Sequence, residues 1–155
     1  NIQDESVCSC VLPTPVTANA YEGASRLTIR EVSPKLSGFR ADTNEKMGHL
    51  DHFKNGWIGT NAGDKISFEL EGSCIGIQYR KTISRPAVRA QAVLDGDVEH
   101  PVLLDGNFDE DWGDCLYIEP VLHHSEKKKH TLEITVLDDE SVGTTPFYLM
   151  SIIVA

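Results

Sequence analysis

The sequence lacks a long apolar run and an excess of basic residues, and each absence excludes a class of function. No stretch approaches the roughly 20 apolar residues of a membrane-spanning helix, and the first residues lack a basic-then-apolar signal pattern. Acidic side chains outnumber basic ones by 24 to 14, which gives a formal net charge of −10. This charge argues against nucleic acid or an anionic membrane as the main partner.

The four cysteines do not form a zinc motif. Cys8 and Cys10 make a C-x-C pair, but no second close pair accompanies them. Cys74 is predicted to lie in an apolar strand as a buried small hydrophobe, while Cys115 opens a predicted strand. Four cysteines allow three pairings, and the sequence leaves the choice among them open.

The sequence also lacks the motifs of nucleophilic catalysis. It has no G-x-S-x-G elbow, and Asp97 and His100 form a D-x-x-H without a nucleophile block before it. Because this D-x-x-H adjoins a predicted hairpin turn, we interpret its spacing as a coincidence. The pattern therefore disfavours a small hydrolase, which stays an alternative.

The histidines do not complete a metal site by their spacing. His49 and His52 form H-x-x-H, but no third ligand is fixed. His123 and His124 would face opposite sides of an extended strand end, and His130 follows the basic run Lys127-Lys128-Lys129. We therefore expect no functional metal at these residues.

The length and composition suit one globular domain. The 155 residues are 40% apolar and 25% charged. Residues 1–24, which include V-L-P-T-P-V-T-A-N-A-Y, are predicted to be a linker-like segment, and residues 25–155 a single domain. The chain opens on N-I-Q-D-E-S without Met, so we expect a processed product or a piece of a longer protein.

Short alternating segments dominate the chain from Asn55 onwards. About eight such segments, separated by turn signals such as D-G-D at residues 95–97, predict an all-β, antiparallel two-sheet sandwich of the jelly-roll type. R-L-T-I-R-E-V at residues 26–32 is predicted to be the first of these strands. The predicted inward residues are Ile66, Phe68, Leu70, Ile75, Ile77, Tyr79, Val88, Ala90, Ala92, Leu94, Leu132, Ile134 and Val136.

An acidic segment, D-G-N-F-D-E-D-W-G-D at residues 105–114, is the strongest candidate for a site. Its alternating oxygen ligands are of the kind that calcium favours. An EF-hand is disfavoured because Glu110 and Leu116 stand where that loop needs Gly and Glu. Calcium in another geometry, a catalytic carboxylate pair and a solvated loop stay open. The candidate calcium ligands are Asp105, Asn107, Asp109 and Asp111.

Trp112 adds a possible function in carbohydrate binding. It lies between Asp111 and Gly113 with little apolar company, so we predict partial exposure. An exposed aromatic face beside carboxylates suits a pyranose ring, which stacks through its C–H face and offers hydroxyls. Trp57, which opens a strand, is predicted to be core. The candidate carbohydrate-binding residues are Trp112, Asp109, Asp111 and Asn107.

Several segments together resemble a known family. They are F-K-N-G-W, G-D-K-I-S-F-E-L-E-G, L-D-G-D, the acidic segment, K-K-H-T-L-E-I-T-V-L and F-Y-L-M-S-I-I-V-A. This pattern resembles the β-sandwich accessory domain of bacterial SGNH/GDSL-type hydrolases, which is similar to carbohydrate-binding modules. The resemblance implies a non-catalytic module of a larger carbohydrate esterase, secreted or at the bacterial cell surface. The G-D-S nucleophile block of such hydrolases is missing here.

Two functions of different classes follow. The first is a binding module that presents Trp112 to a polysaccharide or oligosaccharide and targets an attached catalytic domain. The second is a structural accessory domain that packs on its own hydrolase without binding sugar by itself. Exposure of Trp112 distinguishes them, because a buried ring could not serve as a sugar platform.

Overall fold

The computed structural model describes residues 13, 19–48, 52–137 and 145–155, and its regular elements are all β-strands. No helix long and apolar enough to cross a membrane occurs in this part of the chain. The strands are β1 (Ser25–Leu27), β2 (Lys35–Ser37), β3 (Arg40–Ala41), β4 (Trp57–Gly59), β5 (Lys65–Gly72), β6 (Ile75–Lys81), β7 (Arg89–Leu94), β8 (Val102–Asp105), β9 (Cys115–Leu122), β10 (Lys128–Val136) and β11 (Phe147–Val154).

The strands form two antiparallel sheets, which confirms the predicted jelly-roll sandwich. The six-stranded sheet has the order β3-β4-β11-β6-β9, with β1 also paired to β11. The five-stranded sheet has the order β2-β5-β10-β7-β8. Sequence neighbours such as β4 and β5, or β8 and β9, belong to different sheets, so their connecting loops cross from one layer to the other.

The core lies between the sheets and uses one face of the long strands β5, β6 and β10, together with buried residues of β4, β7 and β11. The alternation in β5 buries Ile66, Phe68 and Leu70, as predicted, while intervening side chains face water. Trp57 is also buried, as predicted, and packs edge-to-face on Phe68 with 5.4 Å between ring centroids. Each such large side chain contributes about 1.5–3 kcal/mol of burial free energy. The core therefore fixes the position of the loops at both ends.

The first 56 residues differ from the prediction. The segment predicted as one strand forms only β1, because the chain turns at Thr28, whose carbonyl accepts a hydrogen bond from the Glu31 amide at 3.1 Å. The described residues form eleven strands rather than about eight. The additional short strands include β2, which pairs with β5, and β3, which pairs with β4. Phe39, between β2 and β3, enters the core.

The predicted hairpin is present, and it separates the two ends of the sandwich. β7 pairs with β8, and the turn places Asp95 at φ 52° and Gly96 at φ 75°. Consecutive left-handed residues are typical of tight hairpin turns, and Asp and Gly tolerate them best. Because β8 runs from this hairpin to the acidic segment, the two lie at opposite ends, separated by about 13 Å of strand.

Candidate functional site

The candidate site is the loop of residues 105–114, called the Trp112 loop below, which joins β8 in one sheet to β9 in the other. Thr82, just after β6, holds both ends of this loop. Its amide donates to the Gly106 carbonyl at 2.8 Å, and its carbonyl accepts from the Phe108 amide at 3.0 Å. Its hydroxyl donates to Asp114 Oδ1 at 2.7 Å. These three hydrogen bonds anchor both ends of the Trp112 loop to Thr82.

Trp112 lies at the surface of this loop. Its side chain is 68% exposed, and Phe108 packs edge-on against it at 5.2 Å and an interplanar angle of 89°. Phe108 is itself half-buried, so it connects the exposed indole to the sandwich. A supported but open aromatic ring is the geometry that a stacking ligand needs. The sugar-platform hypothesis requires an exposed Trp112, and the ring is exposed. That Trp112 binds sugar stays a prediction.

Asp105 and Asn107 use their polar atoms inside the loop. The Asn107 side-chain oxygen accepts a hydrogen bond from the Ala87 amide at 2.9 Å, and its side-chain nitrogen donates to the Ala87 carbonyl at 3.2 Å. The same nitrogen donates to Asp105 Oδ1 at 2.7 Å. These bonds join the Trp112 loop to the β6–β7 loop. Asn107 therefore positions the loop. Its contact with sugar stays a prediction.

Asp109 and Asp111 lie on the exposed side of the loop. Asp109 is 99% exposed and forms an ion pair with Arg85 of the β6–β7 loop, with 3.2 Å between Nη1 and Oδ1. Asp111 is exposed beside Trp112. The indole, two carboxylates and a guanidinium thus face solvent on one end of the sandwich, and all of these groups can meet the hydroxyls or the apolar face of a sugar.

The predicted calcium ligands do not converge. Asp105 faces Asn107, whereas Asp109 faces Arg85. Among the described residues, no three carboxylate, imidazole or thiol groups are arranged to hold a metal ion. Calcium needs six to eight oxygen ligands at 2.3–2.6 Å, so the Trp112 loop as observed does not fit a preformed calcium site.

A layer of aromatic and charged residues supports the loop from the outer face of the six-stranded sheet. The Arg80 guanidinium approaches Asp114 at 3.9 Å and lies over the Tyr148 ring at 5.4 Å. The Tyr148 hydroxyl donates to the buried carboxylate of Asp42 at 2.6 Å. Burial raises the pKa of Tyr148, and its hydrogen bond to Asp42 adds to that effect. Burial also acts to raise the pKa of Asp42, but hydrogen bonds from Tyr148 and Asn44 hold it below its ordinary value.

The D-x-x-H pair lies at the opposite end of the molecule. His100 Nδ1 is 3.0 Å from Asp97 Oδ2, and both side chains are mostly exposed on the loop between β7 and β8. This contact is a local one between residues three apart. It is separate from the Trp112 loop.

The remaining histidines lie in three different places. His49 lies outside the described residues, so the H-x-x-H pair with His52 is not described as a unit. His124 has a φ of 56°, which breaks the extended geometry and brings its ring within 4.0 Å of the His123 ring. His130 is buried and bonds to Asp95 through Nδ1 at 2.7 Å.

Two of the four cysteines are described, and both are free thiols. Cys74 is buried, as predicted, but it lies in the turn before β6 rather than in a strand. Burial raises the pKa of the Cys115 thiol. Cys8 and Cys10 lie outside the described residues.

Two functional candidates, Phe108 and Arg85, were missed by the sequence reasoning. Phe108 belongs to the acidic segment, and its spacing of four from Trp112 was the available signal. Arg85 comes from a loop 24 residues away, so only the fold brings it to Asp109.

Solved structures of carbohydrate-active proteins resemble this chain. A two-domain esterase (CEX) active on acetylated mannans, co-crystallized with mannopentaose, is 41% identical with a TM-score of 0.85. The match covers 92% of this chain and 39% of the esterase, so the chain spans about two fifths of that protein. Neither a protein-family model nor a curated protein matches the chain.

More distant structures show the same fold. The CBM36-1 domain of a multidomain xylanase from the hindgut metagenome of Trinervitermes trinervoides has a TM-score of 0.51 at 12% identity, with coverage of 85% of this chain and 96% of that domain. The carbohydrate-binding module CBM36 in complex with calcium and xylotriose has a TM-score of 0.50 at 10% identity, with coverage of 83% and 97%. The predicted resemblance to accessory sandwiches of esterases is confirmed. The chain is a two-sheet antiparallel β-sandwich with the fold of carbohydrate-binding modules, and it is similar to part of a two-domain carbohydrate esterase.

Proposed function

We propose that this module binds a mannan-type polysaccharide through Trp112 and thereby holds an attached carbohydrate esterase on its substrate. The exposed Trp112 ring, supported by Phe108, is the observation that carries the proposal. The esterase that is 41% identical acts on acetylated mannans, which gives the class of polysaccharide. A β-mannan ring presents an apolar C–H face, and an indole stacks on such a face.

Asp109, Asp111 and Arg85 supply the polar side of the proposed site. Carboxylates accept hydrogen bonds from sugar hydroxyls, and a guanidinium donates them. The ion pair between Arg85 and Asp109 orients both groups before a ligand arrives. Asn107 contributes by fixing the loop through Ala87, which limits the ordering cost of binding.

The proposed function also places the protein outside the cell. Polysaccharides of this kind are extracellular, so we infer a secreted or cell-surface bacterial protein in which the module accompanies an SGNH/GDSL-type esterase domain. Calcium enters this proposal only as a tested variable, because the Trp112 loop as observed holds no converged ligand set.

Affinity electrophoresis against mannan, xylan and other plant and bacterial polysaccharides tests the proposal. Trp112→Ala is expected to weaken binding to the preferred polymer about 30-fold, an effect of about 2 kcal/mol for a central aromatic contact. The matched control is Leu103→Ala, which removes another exposed apolar side chain, on β8. Retardation that persists in Trp112→Ala would overturn the platform. Loss of retardation with a chelator would add calcium to the loop.

A second candidate function, structural packing on an attached domain, is favoured by one surface. An apolar groove of about 300 Å³ on the six-stranded sheet is lined by Tyr21, Ile118, Pro120 and Ile153, among others. Tyr21 and Ile118 are exposed, which is the chemistry of a domain contact. If no polysaccharide retards the module while Ile118→Glu loosens the parent esterase in limited proteolysis, packing replaces sugar binding as the function.

A further inference from the structure

A cationic pocket lies on the outer face of the six-stranded sheet. It has a volume of about 300 Å³, and its polar walls carry four basic side chains, Arg26, Arg30, Lys46 and Lys54. Met150 of β11 is buried beneath it, and Glu31 is the one carboxylate in the lining. This pocket is therefore lined mainly by positive charge, although the chain as a whole has a net charge of −10.

The two guanidinium groups of this pocket are held in place. Arg26 Nε donates to the Ser151 hydroxyl at 2.9 Å, and that hydroxyl donates in turn to the side-chain oxygen of Gln78. Arg30 donates to the Asn55 side-chain oxygen at 3.4 Å. Each of these bonds occupies one donor of a guanidinium that has five, so further donors stay available for a ligand.

The positive charge is only partly compensated within the protein. The Glu31 carboxylate accepts hydrogen bonds from the Thr28 hydroxyl and, at 2.8 Å, from the Thr28 amide, and these bonds lower its pKa. Asp42 adds a second nearby negative charge, which interacts with Lys54. In the part of the chain that the structure describes, no carboxylate oxygen lies within 4.0 Å of the four basic groups. Among the described lining residues, four basic side chains stand against one carboxylate, so their summed charge is positive.

We propose that this pocket binds the carboxylate of a uronic acid residue carried by a polysaccharide. A volume of about 300 Å³ suits a small ligand unit, whereas a protein partner needs roughly 800 Å² of surface on each side. An acidic protein would also be repelled by the rest of this acidic surface. A sparsely charged polysaccharide brings one carboxylate at a time, and paired guanidinium and ammonium groups bind that anion well.

The pocket also connects to the Trp112 loop. Arg80 approaches Asp114 of that loop and covers the Tyr148 ring, and Tyr148 lies two residues from Met150 on β11. The proposed binding of a carboxylate rests on the proposed function in one respect only, namely that the ligand is a polysaccharide.

The test compares glucuronoxylan with the same polymer after chemical reduction of its carboxyl groups. Isothermal titration calorimetry at about 50 mM salt is expected to show about tenfold tighter binding of the unreduced polymer. The Arg30→Gln/Lys46→Gln double variant is expected to abolish this preference and to leave binding of neutral mannan unchanged. The matched control, Lys35→Gln/Lys129→Gln, removes the same charge from exposed positions on the other sheet and should keep the preference.

Three outcomes would overturn the proposal. They are equal binding of both polymers, a preference that survives in the Arg30→Gln/Lys46→Gln variant, and displacement of glucuronoxylan by poly-L-glutamate at an equal carboxylate concentration. The last outcome would indicate an acidic protein partner instead. Failure of the proposed mannan function has a different signature, which is absence of neutral mannan binding while the carboxylate preference persists. Absence of binding to all of these polymers would overturn both.

Discussion

Two acidic turns, at opposite ends of the same sandwich, show how similar composition serves different purposes. At the β7–β8 hairpin, Asp95 bonds to the buried His130 at 2.7 Å and accepts the Thr131 amide at 2.9 Å. At the Trp112 loop, Asp109 projects into solvent beside an exposed indole. Carboxylates at the hairpin stabilise the fold, whereas those at the other end are available for a ligand. The role of an aspartate is therefore determined by its hydrogen-bond and ion-pair partners rather than by its neighbours in sequence.

We expect His130→Ala to cause the largest loss of stability. A small loss would contradict the stabilising role assigned to the β7–β8 hairpin. The side chain is 1% exposed, so its removal leaves a cavity and deprives Asp95 of its partner. We expect the free energy of unfolding to fall by about 2 kcal/mol or more, as measured by urea denaturation. Mannan affinity should stay unchanged, because the hairpin lies at the other end.

His100→Ala is the matched control for that variant. His100 also pairs with an aspartate of the same loop, but it is 82% exposed. Its removal should change stability by less than about 0.5 kcal/mol. Equal losses in the two variants would mean that burial does not distinguish the two pairs.

Asp95→Asn sharpens the comparison through pH. The hydrogen bond from His130 is the largest of the causes that lower the pKa of Asp95 in the folded protein. A depressed folded pKa contributes stability above the unfolded value of about 4, and this contribution is lost as pH falls through the folded pKa. Urea midpoints of the wild type should therefore drop more steeply below pH 4 than those of Asp95→Asn. Parallel pH profiles would contradict this assignment.

Arg85→Ala should have the smallest effect, and mainly on binding. Its ion pair with Asp109 is exposed, so we expect a stability change of less than about 0.5 kcal/mol. Mannan affinity should fall a few-fold because Asp109 loses its orienting partner. Thermal unfolding and affinity electrophoresis measure the two effects separately. A large drop in melting temperature would show that the ion pair supports the fold rather than the site.

The sequence predicted those parts of the fold in which local pattern and tertiary packing agree. The strands β5, β6 and β10 alternate between buried and less buried residues because one face of each packs in the core, so the alternating apolar pattern of the sequence predicted them. The strands β2 and β3 have only exposed residues, and nothing local marks their pairing. β1 likewise exists because β11 offers an unpaired edge. Such elements depend on contacts across the chain, which a local pattern does not contain.

The site was predictable to a similar extent. The polar neighbours of Trp112 indicated its exposure correctly. The internal role of Asn107 was not predictable, because its partner Ala87 belongs to another loop. The cationic pocket gathers residues from the turn after β1 and from the segment before β4, and no spacing in the sequence relates Arg30 to Lys54.

The pairing of β1 with β11 has a consequence for protein engineering. Ala20 and Ala155 both contact Cys74, the former through its carbonyl at 3.6 Å from the thiol and the latter through backbone hydrogen bonds. A short linker could join residue 155 to residue 19, and new termini could open at Gly96 in the hairpin. Such a circular permutant keeps the paired strands of both sheets and places the fusion point in the β7–β8 hairpin, at the same end of the sandwich as Ala155 and opposite Trp112. A cargo enzyme attached there would leave the aromatic end free.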